Sequence, residues 1–310
     1  MQHAILSDPR FHNEEAAYAY VEARLWPNGP ICPHCKSKER IGRLKGKSYR
    51  VGLYKCYVCR KQFTVKIGTI FEDSHIPLRL WLQAMHYICA AKKGISSNQL
   101  HRTLGITLKS AWFMSHRIRE AMRGKGFMPL GYTGGAVEAD ETFLWDDPDH
   151  PLKGPGGFAH KNKILSLVDR RSGEARSMVI DNLKASTVVP ILKQNITGEA
   201  KLITDDASHY NYIAPIFPRH STVRHSANEY VNADDPSIHT NTVEGFFSIF
   251  KRGMRGVYQH CAKKHLHRYL AEFDFRYSNR IAKGVDDSKR ADNLLRSVTG
   301  KRLTYQTTDS

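Results

Sequence analysis

The sequence is short of acid. Against 47 lysines and arginines it sets only 30 aspartates and glutamates, a formal charge of +17 over 310 residues. An excess of that size favours a polyanionic partner, and nucleic acid is the commonest one. No apolar run reaches the length needed to span a bilayer, and no basic amphipathic helix stands apart from the body, so a membrane partner is set aside. The opening "MQHAILSDPRFHNEEAAYAY" lacks the basic and apolar regions of a signal peptide, and the expected location is the cytoplasm, at the nucleoid. Repeats and low-complexity segments are absent, which excludes a repeat array. Cysteine is scarce at six residues. In a reducing cytosol these are metal ligands or buried thiols rather than disulfides. What remains is an ordinary globular composition, 41% hydrophobic and 25% charged, long enough for one large domain or two to three small ones.

Four of the six cysteines fall within the first 70 residues. Cys32 and Cys35 form one C-x2-C pair, Cys56 and Cys59 another, with twenty residues between the pairs. Paired knuckles at that separation predict a four-thiolate zinc site closing two short hairpins. Four thiolates leave no open position for a substrate, so the Zn²⁺ is structural. Lys36, Lys38, Arg40, Arg43, Lys45, Lys47 and Arg50 stud this ribbon and make it a candidate DNA-contacting module, although solvated surface charge is the default for any one of them. The N-terminal segment is placed at residues 1–75.

Residues 76–125 read as helical. "PLRLWLQAMHYICAA" repeats apolar residues at helical spacing, with Cys89 as a core thiol. "SSNQLHRTLGITLKSAWFMSHRIREAM" then predicts a short helix, a turn at Gly105 and a longer helix, the outline of a helix-turn-helix. Lys109, His116, Arg117 and Arg119 lie on the second helix and are the expected DNA contacts. "RGKGFMPLGYTGG", Arg123 to Gly135, reads as a glycine-rich linker.

Beyond it the pattern turns to mixed α/β, placed at 134–282. Strands are predicted over Ala136–Asp140, Lys163–Asp169, Glu174–Ile180, Lys201–Asp205 and Ser221–His225. A turn spans Arg170–Gly173 and a helix Ala185–Ile196. In "HTNTVEGFFSIFKRG", Val243, Phe246, Phe247, Phe250 and Met254 form one apolar face at the helical period. Glu244 and Lys251, two turns apart, share its shoulder, and Asn241 followed by Glu244 resembles a capping box. Residues 283–310 read as a polar tail with a short helix.

Acids gathered at strand ends in so basic a chain need a reason. Asp140 is expected to end the first strand of this region and Asp205 the fourth, with Glu244 on the late helix. Carboxylates from adjacent strands and one helix can converge on a pair of Mg²⁺ or Mn²⁺ ions, which suit all-oxygen sites. Such a pair supports in-line phosphoryl transfer. Lys251 on the same shoulder could hold a phosphate as a point charge.

The four-cysteine ribbon, "VEADETF", "LITDDASHY", "HTNTVEGFFSIFKRGMRGVYQH" and "HRYLAEFDFRYSNR" together resemble the bacterial insertion-sequence transposases with a zinc ribbon and a DDE domain, the ISXO-like group. The resemblance runs from about residue 10 to about residue 280. It implies a ribonuclease-H-like catalytic domain behind the ribbon and helical segment, with divalent metal and cut-and-join chemistry on DNA. It places catalytic acids on Asp140 and Asp205. For the third position some relatives use an Asn and others a Glu, and this sequence has both Asn241 and Glu244. A full charge on a hard cation favours Glu244. "FLWDDPDHPLKGPGGFAHKNK" departs from the shorter glycine-rich stretch of many relatives.

The resemblance makes the terminal repeats of the element and target DNA the expected partners. Two ends handled together imply a homodimer or larger assembly on DNA. Two other functions compete. One is a zinc-ribbon and helix-turn-helix regulator without catalysis, which gains nothing from carboxylates beside DNA. The other is a structure-specific nuclease that cleaves without joining.

Overall fold

The computed structural model describes residues 4–124, 128–151, 157–227, 229–301 and 303. The chain forms two compact units, one of Met1–Met122 with Val285–Ser310, the other of Arg123–Gly284.

In the first unit, helix α1 (Glu14–Leu25) starts at Asn13, whose side chain accepts the Ala16 N–H at 3.0 Å. A three-stranded antiparallel ribbon follows: β1 (Ile41–Arg43), β2 (Tyr54–Cys56) and β3 (Gln62–Phe63). Helices α2 (Leu78–Ala90), α3 (Ser97–Leu104) and α4 (Leu108–Met122) complete the N-terminal part. Pro77 cannot cap α2 with its side chain. The Glu14 carboxylate does so instead, accepting the N–H groups of Leu78 at 2.6 Å and Arg79 at 3.1 Å. Gly105 ends α3 in the left-handed conformation, φ 64°, as the expected turn requires.

Two expectations for this unit change. His116, Arg117 and Arg119 of α4 are buried, not presented for DNA. Arg117 donates to the carbonyls of Ile70 (2.8 Å), Glu72 (2.6 Å) and Leu303 (3.1 Å), and Arg119 donates to Ser115 Oγ at 2.9 Å. Only Lys109 of the four residues is exposed. Nor is the segment after residue 283 a loose tail. It contains α8 (Asp287–Arg296), whose Leu294 and Leu295 are buried, as is Val298 just beyond. Arg290 donates to Cys89 O at 2.8 Å, and Arg24 pairs with Asp292 at 2.7 Å. Ile70 N–H donates to Val298 O at 3.2 Å, so residues past α8 close against the chain near the ribbon.

The second unit is built on a five-stranded sheet in the order β6-β5-β4-β7-β8. Strands β4 (Ala136–Asp146), β5 (Lys161–Asp169) and β6 (Ala175–Ile180) form an antiparallel meander, while β7 (Lys201–Asp205) and β8 (His220–Val223) run parallel to β4. Alternation assigns the faces. Val137 and Ala139 of β4, with Leu165 and Leu167 of β5, pack with Val188 and Leu192 of α5 (Ala185–Asn195). Leu144, Ile164 and Val168 face the other way, onto α6 (Asn241–Gly253) and α7 (Lys263–Ser278). Covered on both faces, β5 is buried from Asn162 to Asp169. This is the mixed-sheet, ribonuclease-H-like architecture.

Part of the expected linker is structured: Leu130 bridges to Ile196, and the Gly131 N–H donates to the Asp169 carboxylate at 3.0 Å. Gly131 has φ +79° and a Cβ there would lie 2.5 Å from that of Ala200, so only glycine fits. Residues 125–127 of the same stretch, and 152–156 of the long loop after β4, lie outside the described residues.

Candidate functional site

The ribbon cysteines meet as expected. Cys32 Sγ lies 3.6 Å from Cys59 Sγ and Cys35 Sγ 3.6 Å from Cys56 Sγ, with all four sulfurs within 4.8 Å of one another. A tetrahedron of sulfurs about 2.3 Å from a zinc ion has edges of about 3.8 Å, so the donor set fits Zn²⁺. Each knuckle turns tightly: Lys36 N–H donates to Cys32 O at 2.9 Å, and Lys36 and Arg60, just after the second cysteine of each pair, both have φ 62°. Trp26, Tyr54 and Phe63 form the small core beneath, with Trp26 edge-on to Tyr54 at 5.5 Å. Cys89 in α2 and Cys261 before α7 are buried and stand outside the cluster.

In the second unit, Asp140 does not end its strand. It lies within β4, opposite Ser166 of β5, because the antiparallel pairing carries β4 on to Asp146. An end does exist on its other side. The parallel register pairs Ala136 with Lys201, Val137 with Leu202 and Glu138 with Ile203. Carried two residues further, it sets Asp140 beside Asp205, the last residue of β7. Both acids fall on the α6 face by alternation, and among the described residues no strand pairs with β4 on that side beyond Asp205.

Helix α6 brings the third acid. Its predicted apolar residues Val243, Phe246, Phe247 and Phe250, and Met254 just past its end, are all buried against the sheet and α7. Glu244 on the shoulder is held by Thr240 Oγ1, which donates to its Oε1 at 2.8 Å, while His225 Nε2 lies 3.7 Å from the same oxygen. The capping box does not form. Thr240, not Asn241, precedes the helix, and Asn241 is its exposed first residue, whose backbone N–H donates to His239 Nδ1 at 3.3 Å.

Electrostatics tie these groups together. Burial pushes Asp140 up to about 8, reinforced by the carboxylates of Glu141, Asp205 and Glu244 against an opposing Glu141 backbone N–H. Burial also raises Asp205, and Glu141 adds to that, while the Ala207 N–H, His209 and His225 pull it down. Lys251 is lowered by burial and by Arg255, with Asp140 opposing. Asp205, Glu244 and Lys251 thus each lie within electrostatic range of Asp140, while Asn241 is exposed at the start of α6.

Several residues here escaped the sequence reading. Glu141 points to the opposite face from Asp140, accepting from Tyr210 Oη and pairing with His209 Nε2 at 3.1 Å. Glu138 is fully buried, with Arg170 Nε 2.5 Å from its Oε1. The two-residue period was available to place Glu138 beside Asp140 on the α6 face, but nothing in the sequence pairs it with Arg170.

Residues 133–278 match the ISXO2-like transposase domain, and residues 12–62 match the transposase zinc-ribbon domain. The chain carries an ISXO2-like transposase domain behind a transposase zinc ribbon. The ribbon lies in the zinc-ribbon match and the five-stranded sheet in the transposase-domain match. Over 286 residues the transposase is 28% identical to an uncharacterized protein in transposable element ISH50 of Halobacterium salinarum, covering 86% of this chain and 91% of that one. It is also similar, at 16% identity and a TM-score of 0.29, to a chain in a cryo-EM structure of the simian T-cell lymphotropic virus intasome in complex with a PP2A regulatory subunit. That match covers 61% of this chain and 64% of the other, less than two thirds of its length.

No described helix is long and apolar enough to cross a membrane.

Proposed function

We propose that this transposase binds the ends of its insertion sequence and catalyses metal-dependent strand cleavage followed by strand transfer. The observation that carries the proposal is the gathering of Asp140, Asp205 and Glu244 around one buried position of a chain of charge +17, where burial first and then the neighbouring carboxylates push Asp140 up to about 8. A protein without a cation to bind gains nothing from that repulsion. All-oxygen donors suit Mg²⁺ or Mn²⁺. When bound, a divalent pair activates the attacking oxygen and stabilises the leaving one.

The chain's own groups do the rest. Asp140, Asp205 and Glu244 hold the metal site, and Asp140 gives up its proton to do so. Lys251, half-buried near Asp140, offers its ammonium to a phosphate next to the scissile bond. The exposed ribbon cations Lys36, Lys38, Arg40, Arg43, Lys45, Lys47 and Arg50 supply non-specific affinity for the DNA backbone. Both chemical steps act on element ends and target DNA brought together, for which a dimer or larger assembly on DNA is needed, in the cytoplasm at the nucleoid.

The test is a strand-transfer assay with purified protein, Mg²⁺ and labelled terminal repeats. Asp140→Ala and Asp205→Ala are expected to abolish cleavage while end binding stays within about twofold. Substantial cleavage by either variant removes that residue from the site. Cleavage by the wild type without joined product identifies a nuclease, and binding without either reaction identifies a regulator.

A further inference from the structure

Two residues before Asp140, on the same face of β4, the carboxylate of Glu138 is fully buried. A buried carboxylate requires partners. Oε2 accepts the Val243 N–H at 2.8 Å, and Oε1 pairs with Arg170 Nε at 2.5 Å. Val243 is the third residue of α6, so its N–H is one of the orphan donors of the helix start. Thr240 makes no side-chain cap there. A strand residue thus caps the helix, with its negative charge at the positive end of the helix dipole.

Arg170, just beyond β5, extends the same grip. Its Nη1 donates to Ser237 O at 2.5 Å, and its Nη2 donates to His239 O at 2.6 Å and lies 2.9 Å from His239 Nδ1. All these acceptors lie in the stretch that leads into α6. The sheet therefore holds the start of α6 at Val243 directly and at residues 237 and 239 through Arg170. The next residue, Thr240, is fully buried and donates to the Glu244 carboxylate.

We propose that Glu138 is a positioning residue of the phosphoryl-transfer site: together with Arg170 it fixes the first turn of α6 against β4 and so sets where Glu244 stands relative to Asp140. This rests on the reading that Asp140, Asp205 and Glu244 hold divalent metal. Directional hydrogen bonds specify one placement of the helix, where apolar packing alone tolerates small slides. Partners outside the ligand set that orient metal ligands commonly change metal affinity by about 10- to 100-fold.

The test uses the full zinc-loaded chain and Mn²⁺ as the probe, followed by electron paramagnetic resonance. Glu138→Gln keeps the size and an acceptor for Val243 but ends the ion pair. Arg170→Lys keeps the charge but loses the fork, and leaves the cap on α6 intact should Glu138→Gln fail to fold. Both variants are expected to bind Mn²⁺ at least about tenfold more weakly than the wild type, at temperatures well below their melting points, and to lower kcat for cleavage with KM for DNA unchanged. A clasp that only supports folding lowers the melting temperature and leaves Mn²⁺ affinity alone, and that result overturns the inference. Asp140→Asn is the control. If it and the wild type bind Mn²⁺ equally, the metal reading itself falls and this inference with it; if Asp140→Asn loses Mn²⁺ while Glu138→Gln and Arg170→Lys keep it, only the inference falls.

Discussion

At the proposed metal site, Asp140 would carry opposite consequences for the metal-free and the metal-bound chain. Its folded-state value, pushed up to about 8 by burial and then by Glu141 and Asp205, lies above the ordinary carboxylate range. The stability tied to its protonated form is therefore complete in acid and is lost as pH rises through about 8. Asp140→Asn, neutral throughout, is expected to melt above the wild type at about pH 8.5 and close to it at about pH 5, by calorimetry on protein holding zinc but no other divalent ion. An equal difference at both values removes the charge crowding. A bound cation reverses the preference, because the proton must leave first. The proposed third ligand is argued at the same scale. Glu244 is in electrostatic range of Asp140, whereas Asn241 is the exposed first residue of α6 without a capping role. Glu244→Gln is expected to reduce strand transfer at least about 100-fold, and Asn241→Ser to cost no more than about threefold; the reverse order in the same assay reassigns the site to Asn241. The acids themselves were legible in the sequence because carboxylates are conspicuous in a basic chain. Glu138 was not, because its partner Arg170 is 32 residues away and only the fold brings them together.

At the scale of elements, what could be read depended on where polar groups find partners. The strand Lys201–Asp205 and the apolar face of α6 emerge from hydrophobic periodicity, and the structure has both. Strand β4 was cut short at Asp140 because "DET" reads as a polar end, although Glu141 is satisfied by His209 and Tyr210 and Thr142 is buried. Helix α4 shows the converse. Its histidine and arginines look like a DNA-facing stripe, yet Arg117 spends its guanidinium on three backbone carbonyls. Arg117→Ala leaves those buried acceptors short of a charged donor and is expected to destabilise the N-terminal unit by about 3 kcal/mol in urea unfolding. Lys109→Ala, at an exposed site, should stay within about 0.5 kcal/mol and instead weaken DNA binding with a shallower salt dependence. Equal stability losses for the two would return Arg117 to the surface.

Over the whole molecule, the first unit depends on two separate ties, a metal and a distant segment of chain. One Zn²⁺ per chain is expected by elemental analysis, lost when Cys32→Ser and Cys59→Ser are combined, with chelation unfolding the ribbon and weakening DNA binding. Zinc retained by the double variant ends that assignment. The second tie is α8 and the residues after it, where Leu294, Leu295 and Val298 are buried. The polar residues of that segment hid three apolar ones that spend their surface on the N-terminal unit. Each fully buried aliphatic side chain contributes roughly 1.5–3 kcal/mol. Order of synthesis then matters. The unit Arg123–Gly284 is continuous, so all of its residues have emerged before the chain ends, whereas the unit that begins the chain stays incomplete until about residue 300 has emerged. A nascent or prematurely terminated chain would thus carry all of the five-stranded sheet unit after a ribbon unit that still lacks its last helix.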